Sequence, residues 1–172
     1  MTQAVFFDRD GVLNELVQRD GGFYSPQSVD QFKTYDTAKN VINELKQIGF
    51  LSIVVSNQPD IARGHLTQTE LEKMTKILFE ELSIDDIFYC IHDDHDNCDC
   101  RKPKPGLLMQ AVKKWNINLQ ESYMVGDTWK DAEAAKNANI KFLLINKNYN
   151  LDCNNVIRID TLNDTINLIE SY

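Results

Sequence analysis

Long apolar runs, a basic N-terminal leader and an excess of positive charge are all missing from this sequence of 172 residues. No apolar stretch approaches the roughly 20 residues that a helix needs to cross a bilayer, and the N-terminus leads directly into a strand-like segment. We therefore expect a cytoplasmic protein without a membrane partner. Its formal net charge of -8 also argues against nucleic acid as a partner, because duplex binding depends on Lys and Arg side chains that neutralise phosphates.

Glycine and proline are scarce, with seven and four residues, so the composition excludes a collagen-like chain and gives no sign of extended disorder. Hydrophobic residues make up 42% and charged residues 26% of the chain, as in ordinary globular domains. A chain of this length can bury most of its apolar surface in one core. We expect one domain over residues 1–172, and a monomer because the sequence shows no exposed apolar seam.

Short apolar segments alternate with helix-like segments along nearly the whole chain. The strand candidates lie at 4–8, 50–56, 86–90, 122–126, 140–145 and 156–159. The helix candidates lie at 36–48, with an Asp36 cap, at 67–82, with a Thr67-x-x-Glu70 capping box, and at 105–115, 129–138 and 161–171. Nearly continuous apolar strands that alternate with helices predict an α/β fold, a Rossmann-like parallel sheet with helices on both faces. The segments 14–35 and 91–106 show no regular pattern.

Polar residues follow three of these strands, at the edge where a parallel sheet gathers its ligands. They are Asp8 and Asp10 after the first strand, Ser56, Asn57 and Gln58 after the second, and Asp127 and Asp131 after the fourth. Taken alone, an Asp-x-Asp pair is more often a solvated loop end. A calcium loop is a further alternative, but Val12 stands at its fifth position and its turn glycine is missing.

Several carboxylates at one site suit Mg²⁺, which takes few protein ligands and keeps places for waters and a phosphate oxygen. Residues two apart on a strand point to the same face, so Asp8 and Asp10 can reach one site. We predict Asp8, Asp10 and Asp127 as the magnesium ligands, with Asp131 orienting the waters of the metal.

A phosphate group fits this site if positive charge and hydrogen-bond donors surround it. Lys102, in a stretch stiffened by Pro103 and Pro105, would be a fixed cation, and Ser56, Asn57 and Gln58 would bring neutral donors. These groups together predict phosphoryl transfer, in which Asp8 is the nucleophile and Asp10 is the general acid and base.

Four motifs in this order resemble the haloacid dehalogenase superfamily of aspartate-dependent phosphatases. They are Asp-x-Asp-Gly at 8–11, Ser-Asn at 56–57, Lys102 and Gly-Asp-x-x-x-Asp at 126–131. The longer strings DRDGVLN, SNQPDIARG, CRKPKPG and SYMVGD resemble the branch that holds D-glycero-D-manno-heptose 1,7-bisphosphate 7-phosphatases and histidinol-phosphatases. The resemblance implies a capless phosphatase whose open cleft admits a small phosphorylated substrate. It also implies that Arg101 recognises a second anionic group, with Arg63 as a weaker candidate, and that residues 20–24 border the pocket.

The same branch carries a zinc loop, and its ligands correspond to Cys90, His92, Cys98 and Cys100. Three sulfurs and an imidazole at this spacing form a closed tetrahedral set, which suits a structural zinc that braces the loop before Lys102. A cysteine cluster in a chain expected in the cytoplasm also indicates metal binding before disulfides. His95 is an alternative ligand, and Cys153 lies outside the cluster.

Two departures from the branch pattern bear on the substrate. Heptose phosphatases commonly read Asn-Gln-Ser-Gly-Ile-Ala-Arg-Gly where this chain has Pro59 and Asp60, and the five-residue gap between His92 and Cys98 is closer to the histidinol-phosphatase form. The strings IARG, KPG and SYMVGD favour the sugar branch. We predict D-glycero-D-manno-heptose 1,7-bisphosphate as the substrate, hydrolysed at its 7-phosphate, with histidinol phosphate as the alternative. The net charge disfavours a polynucleotide 3'-phosphatase, and the intact aspartates disfavour a catalytically silent zinc module.

Overall fold

The structure of the protein, a computed structural model, describes residues 1–171. The strands are β1 (Gln3–Phe7), β2 (Val17–Arg19), β3 (Gly22–Tyr24), β4 (Phe50–Asn57), β5 (Asp86–Cys90), β6 (Tyr123–Gly126), β7 (Lys141–Ile145) and β8 (Ile157–Ile159). The α-helices are α1 (Asp36–Gln47), α2 (Gln68–Ile77), α3 (Gly106–Trp115), α4 (Trp129–Ala138) and α5 (Asp164–Glu170). Within these residues no helix is both long enough and apolar enough to cross a bilayer.

Six of the strands form one parallel sheet in the order β5-β4-β1-β6-β7-β8. The chain first builds outward from β1 through β4 to β5, and then returns to the other side of β1 with β6. This reversal makes the carboxyl ends of β1, β4 and β6 a topological switch point, where open sheets of this kind bind ligands. The predicted α/β fold is confirmed, and each predicted strand lies within one residue of its observed bounds.

The side chains of β1 show why both faces of the sheet are covered. Val5 and Phe7 pack into one core with α1, α2 and α5, whereas Ala4 and Phe6 pack into a second core with α3 and α4. All four side chains are fully buried. Because successive strand residues point to opposite faces, one continuous apolar run supplies both cores.

The N-terminal caps of α1 and α2 differ from their predictions. The N-cap of α1 is Tyr35, which makes no side-chain cap bond, so the predicted Asp36 cap is wrong. Asp36 is instead the first helical residue, where its negative charge suits the helix dipole. At α2 the Thr67 side chain accepts from the Glu70 amide as predicted, but the Glu70 carboxylate accepts from the Val29 amide at 2.6 Å. Only one of the two hydrogen bonds of the predicted capping box therefore forms, because the Glu70 carboxylate binds the Val29 amide and not the backbone of Thr67.

The segment 14–35 contains an element that the sequence pattern does not reveal, the antiparallel hairpin of β2 and β3. Its turn residues Asp20 and Gly21 have φ values of 47° and 78°. Positive φ at both central residues is what a two-residue type I′ turn requires, and Asp-Gly is a favoured pair for it. The Asp-Gly pair was the available signal, but the strands on either side are too short and too polar to stand out.

Candidate active site and metal centre

A cavity of about 650 Å³ opens at the carboxyl ends of β1, β4 and β6. Seven predicted site residues line it, namely Asp8, Asp10, Asn57, Arg101, Lys102, Asp127 and Asp131. Gly22 and Phe23 of the hairpin and Tyr149 of the β7–β8 loop lie on its rim. The hairpin therefore borders the cavity, as the resemblance implied for residues 20–24.

Lys102 is a buried cation at the centre of this site. Its Nζ donates to Asp8 Oδ1 at 2.7 Å, to Asp131 Oδ1 at 2.6 Å and to the backbone oxygen of Val55 at 2.9 Å, and the residue is only 4% exposed. Burial lowers the pKa of Lys102, but the carboxylates of Asp131 and Asp8 more than offset this and raise it above its usual range. The ammonium group therefore stays charged.

Three carboxylates form a cluster beside Lys102, and we call Asp8, Asp127 and Asp131 the carboxylate trio. Their ligand oxygens lie within 4.8 Å of one another. Asp131 is held by the amide and hydroxyl of Thr128, at 3.0 and 2.6 Å from its Oδ2. Asp127 is held at Oδ2 by the Tyr149 hydroxyl, whereas its buried Oδ1 has no partner among the described residues. An orphaned carboxylate oxygen among further carboxylates fits a hard cation such as Mg²⁺.

The trio is electrostatically strained in the absence of a cation. Burial raises the pKa of Asp8 to about 7, and Asp131 and Asp10 add to the rise against the opposing effect of Lys102. Burial also raises the pKa of Asp127 well above its usual range, with Asp8 and Asp131 contributing. Like charges in a buried site raise one another's pKa, so one lysine does not neutralise this site.

Asp10 lines the cavity, and its carboxylate accepts four hydrogen bonds from neighbouring side chains. It accepts from Arg9 Nε and Nη2 at 3.0 Å each, from Asn14 Nδ2 at 2.9 Å and from Gln58 Nε2 at 2.8 Å. Arg9 is fully buried and stacks on the rings of Phe32 and Tyr89. The carboxylate trio therefore includes Asp131, whereas the sequence pattern predicts Asp10 as the third carboxylate. The anchoring role of Arg9 was also missed, because an arginine between two aspartates resembles a solvated side chain.

The three polar residues at the carboxyl end of β4 hold neighbouring residues in place. Gln58 also donates to Ser56 Oγ at 2.9 Å, and both residues are only 1% exposed. Asn57 lines the cavity, but its amide nitrogen donates to the Lys102 carbonyl and its amide oxygen accepts from the Lys102 amide, both at 3.0 Å. Gln58 therefore orients Asp10, and Asn57 clamps the backbone that carries the buried lysine.

The absence of a side chain at Gly11 leaves space for the Asp127 carboxylate. Its φ is +85°, a conformation that favours glycine, and a Cβ at this position would lie 2.2 Å from Asp127 Oδ2. The glycine of the first motif is therefore required both by its own backbone and by the carboxylate at the end of β6.

Cys90, His92, Cys98 and Cys100 form a separate cluster whose ligand atoms lie within 4.8 Å of one another. The Sγ atom of Cys98 lies 3.6 Å from that of Cys90 and 3.5 Å from that of Cys100. Nδ1 of His92 lies 3.5 Å from the sulfur of Cys90 and 3.3 Å from that of Cys100. A tetrahedral zinc with bonds of about 2.3 Å to sulfur requires sulfur atoms about 3.7 Å apart, so the spacing fits. Burial raises the pKa of Cys100 to about 12, with the neighbouring thiols contributing, so the Cys100 thiolate needs a cation to form.

Arg101 connects this cysteine cluster with the cavity. It is 9% exposed and donates from Nε to Asp94 at 2.7 Å and from Nη1 to the His92 carbonyl at 3.3 Å. Arg63, the weaker candidate for substrate recognition, instead pairs with both oxygens of Asp93 at 2.5 and 2.8 Å. Arg63 therefore braces the loop, whereas Arg101 lines the cavity.

Comparisons with known proteins agree with this geometry. Residues 16–139 match the profile of the family described as haloacid dehalogenase-like hydrolase. Over 152 residues the chain is 39% identical to D-glycero-beta-D-manno-heptose-1,7-bisphosphate 7-phosphatase of Pasteurella multocida, which covers 82% of this chain and 79% of the relative. Over 149 residues it is 37% identical to the protein of the same name from Escherichia coli K12, which covers 80% and 75%.

A solved structure with the same fold is D,D-heptose 1,7-bisphosphate phosphatase from B. bronchiseptica, complexed with magnesium and phosphate. The TM-score is 0.87, the sequence identity is 24%, and the match covers 99% of both chains. At this identity the match describes the fold. The fold is therefore shared over nearly the whole length of the two chains.

Proposed function

Because the chain belongs to the haloacid dehalogenase-like hydrolase family, we propose that it removes the 7-phosphate of D-glycero-D-manno-heptose 1,7-bisphosphate with the help of Mg²⁺. The phosphatase class predicted from the sequence is supported by relatives at 39% and 37% identity. The observation that carries the proposal is the buried Lys102 ammonium, 2.7 Å from Asp8, beside three clustered carboxylates at the end of the sheet. Such a site can hold a phosphate dianion against a carboxylate nucleophile only after charge neutralisation.

In the first step Asp8 attacks phosphorus in line, and a phosphorus–oxygen bond to Asp8 forms while the bond to the sugar oxygen breaks. Asp10 gives its proton to that leaving oxygen. In the second step Asp10 takes a proton from the attacking water, and the bond between Asp8 and phosphorus breaks to release phosphate. Arg9, Asn14 and Gln58 keep the Asp10 carboxyl group oriented through both transfers.

Asp8 and Asp127 would hold Mg²⁺, since Asp127 Oδ1 is a buried acceptor without a partner among the described residues. Asp10 stays the third predicted ligand, and its carboxylate is held in place by hydrogen bonds from Arg9 and Gln58. The ion would supply charge neutralisation between the carboxylates and the phosphate. Asp131 binds Lys102 and Thr128, which suits a residue that positions the charges around the ion.

We further propose that Cys90, His92, Cys98 and Cys100 hold a structural Zn²⁺. The four ligands leave no open position for substrate, so this ion would stabilise the loop at 90–100 rather than take part in hydrolysis. That loop directly precedes Arg101 and Lys102. A fixed loop therefore fixes both cations at the cavity.

The cavity rim supports a substrate with a second anionic group. Arg101, Lys102 and Lys130 line the cavity, although the whole chain carries a net charge of -8. Lys102 is committed to the carboxylates, and Arg101 already uses Nε and Nη1 on Asp94 and the His92 carbonyl. This leaves Lys130 and the remaining nitrogen of Arg101 for a distant phosphate. Histidinol phosphate would bring an ammonium group to the same rim, which this charge disfavours. The short gap between His92 and Cys98 is the feature that keeps it as the second candidate.

Phosphate release from both anomers of the heptose bisphosphate and from histidinol phosphate tests the proposal. We expect kcat/KM for the bisphosphate to exceed that for histidinol phosphate by at least about tenfold, because one charge-assisted contact contributes about 1.5–3 kcal/mol. Asp8→Asn should reduce release to background with every substrate. Faster turnover of histidinol phosphate would overturn the substrate assignment, and residual activity of the variant would overturn the nucleophile.

A further inference from the structure

Tyr149 lies in the loop between β7 and β8, far from the four sequence motifs, yet it reaches the metal-binding end of the sheet. Its hydroxyl donates to Asp127 Oδ2. Its ring lies 5.7 Å from that of Phe23 on the hairpin, measured between centroids, and the residue is 40% exposed on the cavity rim. The side chain therefore contacts the buried carboxylate through its hydroxyl and the hairpin edge of the cavity through its ring.

The two oxygens of Asp127 have different environments because of this contact. Oδ2 accepts a hydrogen bond from the Tyr149 hydroxyl, whereas Oδ1 is buried and has no hydrogen-bond partner in residues 1–171. Asp127 itself is only 1% exposed, so water does not readily compensate for a lost partner. With Oδ2 occupied, Oδ1 is the oxygen that remains for a cation.

The loop that carries Tyr149 is anchored to the same aspartate. Asn150 Nδ2 donates to the backbone oxygen of Asp127 and to that of Ile145, both at 2.8 Å. Arg158 in turn donates to the carbonyl oxygens of Asn150 at 2.9 Å and Cys153 at 2.6 Å. Two consecutive residues thus hold the backbone and the side chain of Asp127, so the phenol is presented from a braced segment.

Gly11 provides the space in which this hydrogen bond forms. A Cβ there would lie 2.2 Å from Asp127 Oδ2 and 3.0 Å from the Tyr149 hydroxyl oxygen. The absence of a side chain at this position therefore serves the phenol as well as the carboxylate.

From these contacts we infer that Tyr149 is a positioning residue that orients Asp127 so that Oδ1 faces the magnesium ion. This inference rests on the proposed function, since Asp127 is a proposed ligand. Partners behind metal ligands commonly change metal affinity by about 10–100-fold when they are removed. Without the hydroxyl, the Asp127 carboxylate is free to turn. The affinity for the ion then falls, whereas kcat at saturating metal changes little.

The test measures metal binding without substrate, by loss of the free Mn²⁺ signal in electron paramagnetic resonance and by calorimetric titration with Mg²⁺. We expect Tyr149→Phe to bind both ions about tenfold more weakly than the wild type. Tyr24→Phe is the matched control, because Tyr24 follows Phe23 on β3, near Tyr149, and its hydroxyl makes no hydrogen bond within the described chain. Asp127→Asn should bind neither ion measurably.

Kinetics supply a second readout. The Mg²⁺ concentration for half-maximal activity should rise about tenfold in Tyr149→Phe, while kcat at saturating Mg²⁺ stays within about twofold of the wild type. Equal affinities for Tyr149→Phe and Tyr24→Phe, or a fall in kcat with unchanged metal dependence, would overturn the role of Tyr149. If the wild type binds no Mn²⁺, or Asp127→Asn binds like the wild type, the proposed magnesium site itself is wrong, and the inference fails with it.

Discussion

The ammonium nitrogen of Lys102 lies 2.7 Å from Oδ1 of Asp8, although 94 positions separate the two residues along the chain. The same nitrogen lies 2.6 Å from Asp131, so one buried cation holds two carboxylates of the trio. Removal of one partner from a buried ion pair is costly because it leaves an uncompensated charge in the interior. Lys102 therefore contributes to the stability of the metal-free fold as well as to the chemistry.

Replacement of Lys102 by methionine tests this relationship. We expect kcat/KM to fall by at least about 100-fold, because a preorganised charge at the phosphate is lost. The metal-free variant should also lose about 3 kcal/mol of unfolding free energy at pH 8. Phosphate release and urea denaturation measure the two effects. Lys113→Met, an exposed lysine of α3, is the control and should change neither, and an unchanged denaturation curve for Lys102→Met would contradict the buried ion pair.

Asp8→Asn should separate activity from stability. In the folded protein the pKa of Asp8 is about 7, against an ordinary value of 3.8, so ionisation of Asp8 destabilises the metal-free fold progressively between about pH 4 and pH 7 and fully above pH 7. The asparagine variant should therefore be inactive but more stable than the wild type at pH 8, by about 2–4 kcal/mol.

The advantage of Asp8→Asn should shrink by roughly half as the pH falls from 8 to 5, because Asp8 becomes protonated in the folded wild type. Added Mg²⁺ should stabilise the wild type more than the variant. Calorimetric melting curves at the two pH values, with and without Mg²⁺, give the comparison. A variant that is less stable than the wild type at pH 8 would show that the trio is not strained.

Arg9→Lys tests how Asp10 is held. Lysine keeps the charge but loses the two parallel hydrogen bonds at 3.0 Å and the stacking on Phe32 and Tyr89. We expect kcat to fall by about 10–100-fold, because proton transfer depends on the orientation of Asp10. Binding of Mn²⁺ by the same variant shows separately whether Asp10 is also a metal ligand, because Arg9 contacts Asp10 and no member of the trio. A wild-type kcat in a folded Arg9→Lys variant would rule out this role.

Zinc removal should weaken both the fold and the activity. Cys98→Ser should lower the zinc content, the melting temperature and kcat/KM together, because the loop at 90–100 carries Arg101 and Lys102 into the cavity. Cys153→Ser is the matched control, since Cys153 lies outside the cluster. Metal analysis, calorimetry and phosphate release measure the three effects. Full activity of zinc-free Cys98→Ser would show that the loop holds its cations without the metal.

Much of the fold could be predicted because its signals are local. The apolar run of β1 shows a buried strand without any knowledge of its neighbours, and the spacing from Cys90 to Cys100 shows a four-ligand set. The hairpin at Asp20 and Gly21 was missed because its strands of three residues carry little periodicity. Glu70 was placed wrongly at its own helix because Val29, from a distant segment, competes for its carboxylate.

The alternation of strands and helices, the four motifs and the cluster of three cysteines and a histidine follow from the amino-acid sequence, since each depends on spacing within a few residues or on the pattern along one element. The partners of each carboxylate emerge only in three dimensions. Asp10 is held by Gln58, Asp131 by Lys102 and Asp127 by Tyr149, and each pair joins residues from different elements. The sheet brings these side chains together through its strand order, and hydrogen-bond partners are decided by directions and distances that spacing along the chain does not encode.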